Sequence, residues 1–245
     1  TREPFYTFNV IDGILSVKQV MSVAKKYNAT ITEYLNAVLL YALLQKQKKE
    51  RRIHLRPVKI AMPVNLRRFF PSKTLRNFIT MVYPSIDPRL GEYSFEEIVI
   101  QVHNYMRYYI NEKFLKGDIT TNARTQQNSF IRVVPLFIKD FVVRQFYTQV
   151  QDKNSSAGLT NMGALKVPED MKPYIDRFDI YMGQPFSSRT NCAIISFEDT
   201  LTINFASNIM ETDVERYFFR KLVADGVHVT IESNREGLDT FFDQI

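Results

Sequence analysis

One cysteine and three histidines in 245 residues leave little material for thiol or imidazole chemistry. Cys192 lies in the apolar run "CAIISF" and has no partner for an internal disulfide, which fits a reducing, cytoplasmic setting. With no histidine close to it in sequence, it reads as a small buried hydrophobe rather than a nucleophile. His54 falls in a basic stretch, His103 inside a helical pattern and His228 just after a helix stop. None stands beside a carboxylate or nucleophile at a spacing that marks a general base. No apolar run approaches the about 18 residues of a membrane span, and no secretory signal is visible. GxGxxG, a Walker loop, HExxH, CxxC and GxSxG are also missing, which argues against a stand-alone hydrolase or metal enzyme. No metal ligands and no tightly bound cofactor are expected. Internal repeats and low-complexity tracts are absent as well.

What is present is the composition of a globular protein, 45% apolar and 24% charged, long enough to bury a substantial core. The net charge is +6. Its densest part, "KQKKERRIHLR" at 46–56, follows a helix, where lysines favour the negative end of the macrodipole. No nucleic-acid motif accompanies it, so nucleic acid is not an expected partner. An anionic small molecule, such as a nucleotide-bearing cofactor, suits basic residues near a loop better.

Helix starts are legible. Ser16–Gln19, Thr30–Glu33, Ser94–Glu97 and Thr212–Glu215 read as capping boxes. Each opens an apolar stripe: Val17, Val20, Val23, Ala24 and Tyr27, ending near Asn28; Ile31, Tyr34, Leu35, Val38, Leu39, Ala42 and Leu43; Ile98, Val99, Val102, Tyr105, Met106 and Tyr109; Val214, Phe218 and Leu222. A further helix is predicted over about 132–149, and "QDKNSSAG" at 151–158 reads as a linker. Strands are predicted near 58–64, 78–86, 177–182, 192–197 and 201–207. The second, "FITMVYPSI", is apolar enough to be buried on both faces, and the last three read as an antiparallel meander. The mixture predicts a layered α/β protein with a mixed sheet flanked by helices.

Between the first two strands stands "PVNLRRFFPSKTLRNF", residues 63–78. It places Asn65, Arg67 and Arg68 where one strand finishes and Arg76 and Asn77 where the next begins. "AMPVNLR", this loop and "LRNFITMVYPSI" resemble a segment of the chloramphenicol-acetyltransferase-like superfamily. That superfamily includes alcohol acetyltransferases, wax ester synthases, plant acyltransferases and the condensation domains of peptide synthetases. "NATITEYLNAVLLYALLQ" resembles its preceding helix, "SSAGLTNMGAL" its "SNxG" strand end, and "LTINFASNIMETDVERYFFRKLVADG" its closing strand and helix. Four weak motifs in register are similar above all to bacterial alcohol acetyltransferases.

The resemblance implies acyl transfer from a coenzyme A thioester, acetyl-CoA for instance, to an alcohol. The superfamily's general base is the second His of HHxxxDG. Here an Asp12-Gly13 pair is present, but Tyr6, Thr7 and Phe8 stand upstream of it, so the pair is expected to be an ordinary turn. Residues 1–245 are therefore expected to form a single domain, the C-terminal lobe of a two-lobe acyltransferase, with no catalytic residue of its own. It would be inactive without an N-terminal HHxxxDG lobe and open to homodimerisation through its exposed seam. Thr160, Asn161 and Gly163 would border the substrate tunnel, Arg68, Lys73 and Arg76 would face cofactor phosphates, and Asn65 and Arg67 would fasten the loop. The same resemblance allows a non-catalytic binding or scaffold module. An HHxxxDG upstream in the parent reading frame distinguishes the two.

Overall fold

In the computed structural model, which describes residues 9–50, 55–127, 155–183, 190–207 and 209–234, eight strands form one mixed sheet. They are β1 (Asn9–Ser16), β2 (Val58–Asn65), β3 (Ile79–Val82), β4 (Ser85–Ile86), β5 (Ala157–Ala164), β6 (Thr190–Phe197), β7 (Thr200–Ser207) and β8 (Thr230–Ser233). Their spatial order is β3-β2-β5-β6-β7-β1-β8, with β4 paired to the start of β2. β2, β5 and β6 run parallel, and the other pairings are antiparallel. The helices are α1 (Val17–Lys26), α2 (Ile31–Lys49), α3 (Phe95–Tyr109), α4 (Glu112–Gln127) and α5 (Asp213–Ala224). The layered α/β architecture expected from the sequence is the one observed. No helix of the described residues is long and apolar enough to cross a membrane.

Local chemistry accounts for most helix ends. Thr30 with Glu33 and Ser94 with Glu97 form complete capping boxes, and Ser16 accepts from the Gln19 amide. Thr212 makes no side-chain cap, because its backbone (φ −102°, ψ 23°) is not extended in the way that aims a hydroxyl over the first turn. α1 and α5 both stop in Schellman motifs. Ala29 N bonds Ala24 O and Asn28 N bonds Lys25 O around Asn28 at φ 53°. Val227 N bonds Leu222 O and Gly226 N bonds Val223 O around Gly226 at φ 93°. α4 was not expected. It is capped by Asn111, which accepts from Phe114 N, and its polar face carries Thr120 and Thr121 hydroxyls donating to carbonyls four residues back. The helix expected at 132–149 lies outside the described residues, as do His54 and positions 151–154. Ala157 and Gly158, assigned to the linker, instead begin β5.

α2 is the centre of the core. Its residues from Glu33 to Leu40 are all buried, so burial runs right round the helix rather than along one stripe. It contacts β2 of the sheet and, on its other sides, α1, α3 and α5, in one apolar cluster that includes the inward residues Ile60, Leu159, Ile194, Ile203 and Phe205. Tyr34 OH donates to Asp225 Oδ2 (2.7 Å) and Tyr27 OH to Asp225 Oδ1 (3.4 Å). Lys221 bonds the same carboxylate while lying 3.9 Å over the Phe95 ring. The ends of α1 and α5 and the starts of α2 and α3 are thus tied at one point. Burial and the Asp225 charge push the Tyr34 phenol far above its ordinary range.

Three strand expectations need correction. Residues 177–182 form no strand: β7 is already paired on both edges, with β6 and β1, so no ladder edge is free for them. They lie instead across the sheet face away from α2, fastened by side chains. Thr202 Oγ1 donates to Phe178 O, Asn204 Oδ1 accepts from Ile180 N, and Phe178 packs edge-on to Phe197. β3 is not buried on both faces, since Ile79 and Met81 are 40% and 38% exposed on an edge strand. Asp12-Gly13 is not a turn. Both residues sit in mid-β1, opposite Asn204 and Ile203 on one side and Glu232 and Ile231 on the other. Two ladders override the local turn preference.

The two residues face opposite ways. Asp12 accepts from Asn204 Nδ2 and Tyr181 OH, both at 2.8 Å, and Asn204 Nδ2 also donates to Asp179 at 3.0 Å. Arg177 completes the cluster by bridging Asp179 and Glu232. Gly13 faces the helices, where a Cβ would stand 2.2 Å from Cε1 of Phe219. That ring is packed edge-on against Phe205 and Phe218 and has nowhere to swing. Gly13→Ala should therefore cost about 1–3 kcal/mol, read as a lowered thermal midpoint, whereas Gly117→Ala, in open space on exposed α4, should not destabilise. Burial raises the Asp12 pKa despite its two donors. The folded state then binds that proton more tightly than the unfolded state. This contribution to stability is greatest below the unfolded value of about 3.9 and is lost as pH rises through the folded one. Asp12→Asn should remove that downward slope in denaturant-derived stability measured from pH 3.5 to 7.

Candidate functional site

Parallel strands bring their carboxyl ends to one rim of the sheet, where ligands commonly bind in α/β folds. The ends of β2 and β5 therefore place the 66–77 loop and the Asn161–Gly163 segment at the same rim. α2 runs antiparallel to β2, so its first turns arrive there too, and Asn36 Nδ2 reaches Met62 Sδ at 3.4 Å.

β5 is irregular at this end. Its register with β6 shifts between Asn161 and Ala164. Asn161 organises the irregularity: Nδ2 donates to Thr32 Oγ1 (2.9 Å) and Oδ1 accepts from Gly163 N (2.8 Å). Gly163 adopts φ 75°, a conformation that strains residues with a Cβ. Both ends of the Asn161 amide are thus engaged within the protein, while Thr160 and Gly163 stand half-buried. Sequence reasoning missed Thr32. Its signal was position alone, a hydroxyl inside the first turn of a capped helix.

In the loop, Asn65 Oδ1 accepts from Arg67 N (3.0 Å) at the start of a single helical turn, Leu66–Arg68. Arg67 Nη2 donates to Thr74 O (2.9 Å) and Arg76 O (2.6 Å), and its guanidinium lies 5.9 Å from the centre of the Phe78 ring. One planar fork thus closes the loop on itself. Arg68, Lys73 and Arg76 are exposed, and among the described residues no carboxylate pairs with their side chains. The loop carries three exposed cations close to the rim.

Of the histidines, His228 is exposed and its backbone donates to Gln19 Oε1. His103 lies on α3 with Nδ1 3.3 Å from Glu33 Oε1, near enough to pair but not aligned as a hydrogen bond. Glu33 spends its other oxygen on Thr30 N. Cys192 is fully buried, and desolvation drives its thiol pKa upward, away from reactivity. Among the described residues no three His, Cys, Asp or Glu side chains are grouped to hold a metal ion.

The family model for alcohol acetyltransferase matches residues 14–196. Among curated protein sequences, none matches the chain. Several solved structures share the fold. The wax ester synthase/diacylglycerol acyltransferase from Marinobacter aquaeolei VT8 is 10% identical, with a TM-score of 0.51 over 89% of this chain and 48% of its own. Trichothecene 15-O-acetyltransferase from Fusarium sporotrichioides is 13% identical, with a TM-score of 0.55 over 91% and 47%. The epimerization domain from the third module of tyrocidine synthetase B is 12% identical, with a TM-score of 0.57 over 91% and 49%. At these identities the likeness is one of fold. The chain spans about half the length of each of these three structures.

Arg67→Ala leaves two loop carbonyls to water and should cost about 1–2 kcal/mol, with faster limited proteolysis between 69 and 77. Arg68→Ala and Arg76→Ala, which remove no side-chain bond among the described residues, should stay within about 0.5 kcal/mol of the parent.

Proposed function

Because the chain belongs to the alcohol acetyltransferase family, we propose that it is the C-terminal lobe of an acyl-CoA-dependent O-acyltransferase. It works with an N-terminal HHxxxDG lobe to move an acyl group from a coenzyme A thioester to a small alcohol. The observation that carries this reading is a family match over 14–196 in a chain about half as long as the enzymes sharing its fold.

The rim supports it chemically. Arg68, Lys73 and Arg76 offer cationic donors, fitting the phosphates of a nucleotide-bearing thioester. Arg67 and Asn65 hold the loop that presents them. Thr160 and Gly163 line the approach beside β5, the first with a hydroxyl and the second with backbone that a ligand can approach closely. Asn161 acts through Thr32 and Gly163, shaping that approach rather than touching the ligand. The general base comes from the other lobe, since the DG of this chain lies within β1 with Asp12 committed to Asn204 and Tyr181.

Thiol release from acetyl-CoA, followed across a panel of short and long alcohols, tests the proposal. The 245-residue chain alone should show no acceptor-dependent release. A positioned base contributes about 10²–10⁴ in rate, and substrate positioning is lost with it. Adding the HHxxxDG half, fused or as a separate polypeptide, should restore release, and replacing its second His should abolish that recovery. Acceptor-dependent release by this chain alone would sink the half-enzyme reading. A parent reading frame with no HHxxxDG would favour a non-catalytic binding module instead.

A further inference from the structure

The far end of α2 holds a second concavity. Lys48 lies sixteen residues beyond Thr32 on one helix, about 24 Å at 1.5 Å per residue, so it is distinct from the rim. The last turns of α2, the turn at Pro88–Leu90 and the start of α3 enclose a cavity of about 260 Å³. Leu44 and Ile98 in its wall are buried core residues, and the rings of Tyr41 and Tyr93 flank them. The rim is held in place by Gln47, whose amide bonds both backbone groups of Arg56 at 3.0 and 3.3 Å.

Two cations stand at this cavity in different states. Arg89 is committed to Asp87, bonding its carboxylate through Nε at 2.8 and 3.1 Å and again through Nη2. Among the described residues Lys48 has one carboxylate partner, Glu92 Oε1 at 2.9 Å, and the Glu92 side chain is 88% exposed. An ion pair so exposed contributes little, so exchanging one carboxylate for another on Lys48 is cheap. Apolar walls with one exchangeable cation at the mouth form a site for an amphipathic anion. An apolar cavity of about 150 Å³ already accommodates benzene, so this one has room for a longer chain.

We propose that this cavity binds a medium-chain monocarboxylate, its chain against Leu44, Ile98 and the two tyrosines and its carboxylate on Lys48 in place of Glu92. Glu92 is then a tethered occupant of the anion position, released when the ligand arrives. The site does not depend on the acyl-transfer reading.

Isothermal titration of the full 245-residue chain with butanoate, hexanoate and octanoate, and with octanol and octylamine, tests it. Affinity should rise about fourfold per methylene until the cavity is filled. Octanoate should bind about threefold to fivefold more tightly than octanol or octylamine. Lys48→Gln should erase the preference for the acid while leaving octanol binding unchanged. Glu92→Gln, which frees Lys48, should tighten octanoate several-fold. Both substitutions are on exposed side chains, and circular dichroism checks that the fold persists. The proposal is overturned by octanol binding as well as octanoate, by affinity independent of chain length, by a Glu92→Gln variant no tighter than the parent, or by no binding at all.

Discussion

The all-round burial of α2 is the constraint on which the remaining geometry depends. A helix with one apolar stripe can slide or roll against a sheet, but one enclosed by β-strands, α3 and α5 has its axial position set. Asp225 then locks rotation and translation together by accepting from Tyr34 and Tyr27 while Lys221 bonds it over Phe95. Because α2 cannot shift, Thr32 is delivered to the Asn161 amide and Lys48 to the mouth of the cavity at the other end. The two ends of one helix thus reach the sheet rim and the cavity beside Pro88–Leu90.

The sheet's two faces are built on different principles. Toward the helices the packing is mostly aliphatic and aromatic, with few buried polar groups, among them Asn36 against Met62, Glu33 in its capping box and Glu215. Away from them, Asp12, Thr202 and Asn204 are buried polar residues on β1 and β7, satisfied by one another and by 177–183. Such a network carries directional information that apolar packing lacks. It also carries a cost, visible in the upward pKa of Asp12.

How much of this was legible in the sequence depended on how local each signal is. The boxes at Thr30–Glu33 and Ser94–Glu97 work within four residues, and both stand as expected. Alternation along β2 likewise reports a single half-buried strand. Residues 177–182 have the same extended, alternating character, yet whether they join a ladder depends on β1 and β6 having already claimed both edges of β7. Nothing local encodes that. Asp12-Gly13 misled for the converse reason, a turn dipeptide retained mid-strand because one residue meets a polar network and the other an aromatic ring. At the rim, residue type identified Asn65 and Arg67 as loop formers. Thr32 and the commitment of Asn161 to it are separated by 129 positions and emerge only in three dimensions.

The fastening of residues 177–183 sets them apart mechanically from the strands beneath. A ladder strand exchanges hydrogen bonds along its whole backbone, so removing it means shearing a register. This segment's backbone is met by side chains instead: Phe178 O by Thr202, Ile180 N by Asn204 and Gly183 O by Asn191. Its own side chains add further ties, Arg177 to Glu232, Asp179 to Asn204, Tyr181 to Asp12 and Phe178 against Phe197, so its hold on the sheet is a set of separate contacts rather than a continuous ladder. The floor beneath it is mixed, with Asp12, Thr202 and Asn204 buried beside the apolar Ile195 and Phe197, so the segment shields both polar and apolar surface. One face of the sheet is thus covered by helices packed into its core, the other by a strap fastened residue by residue.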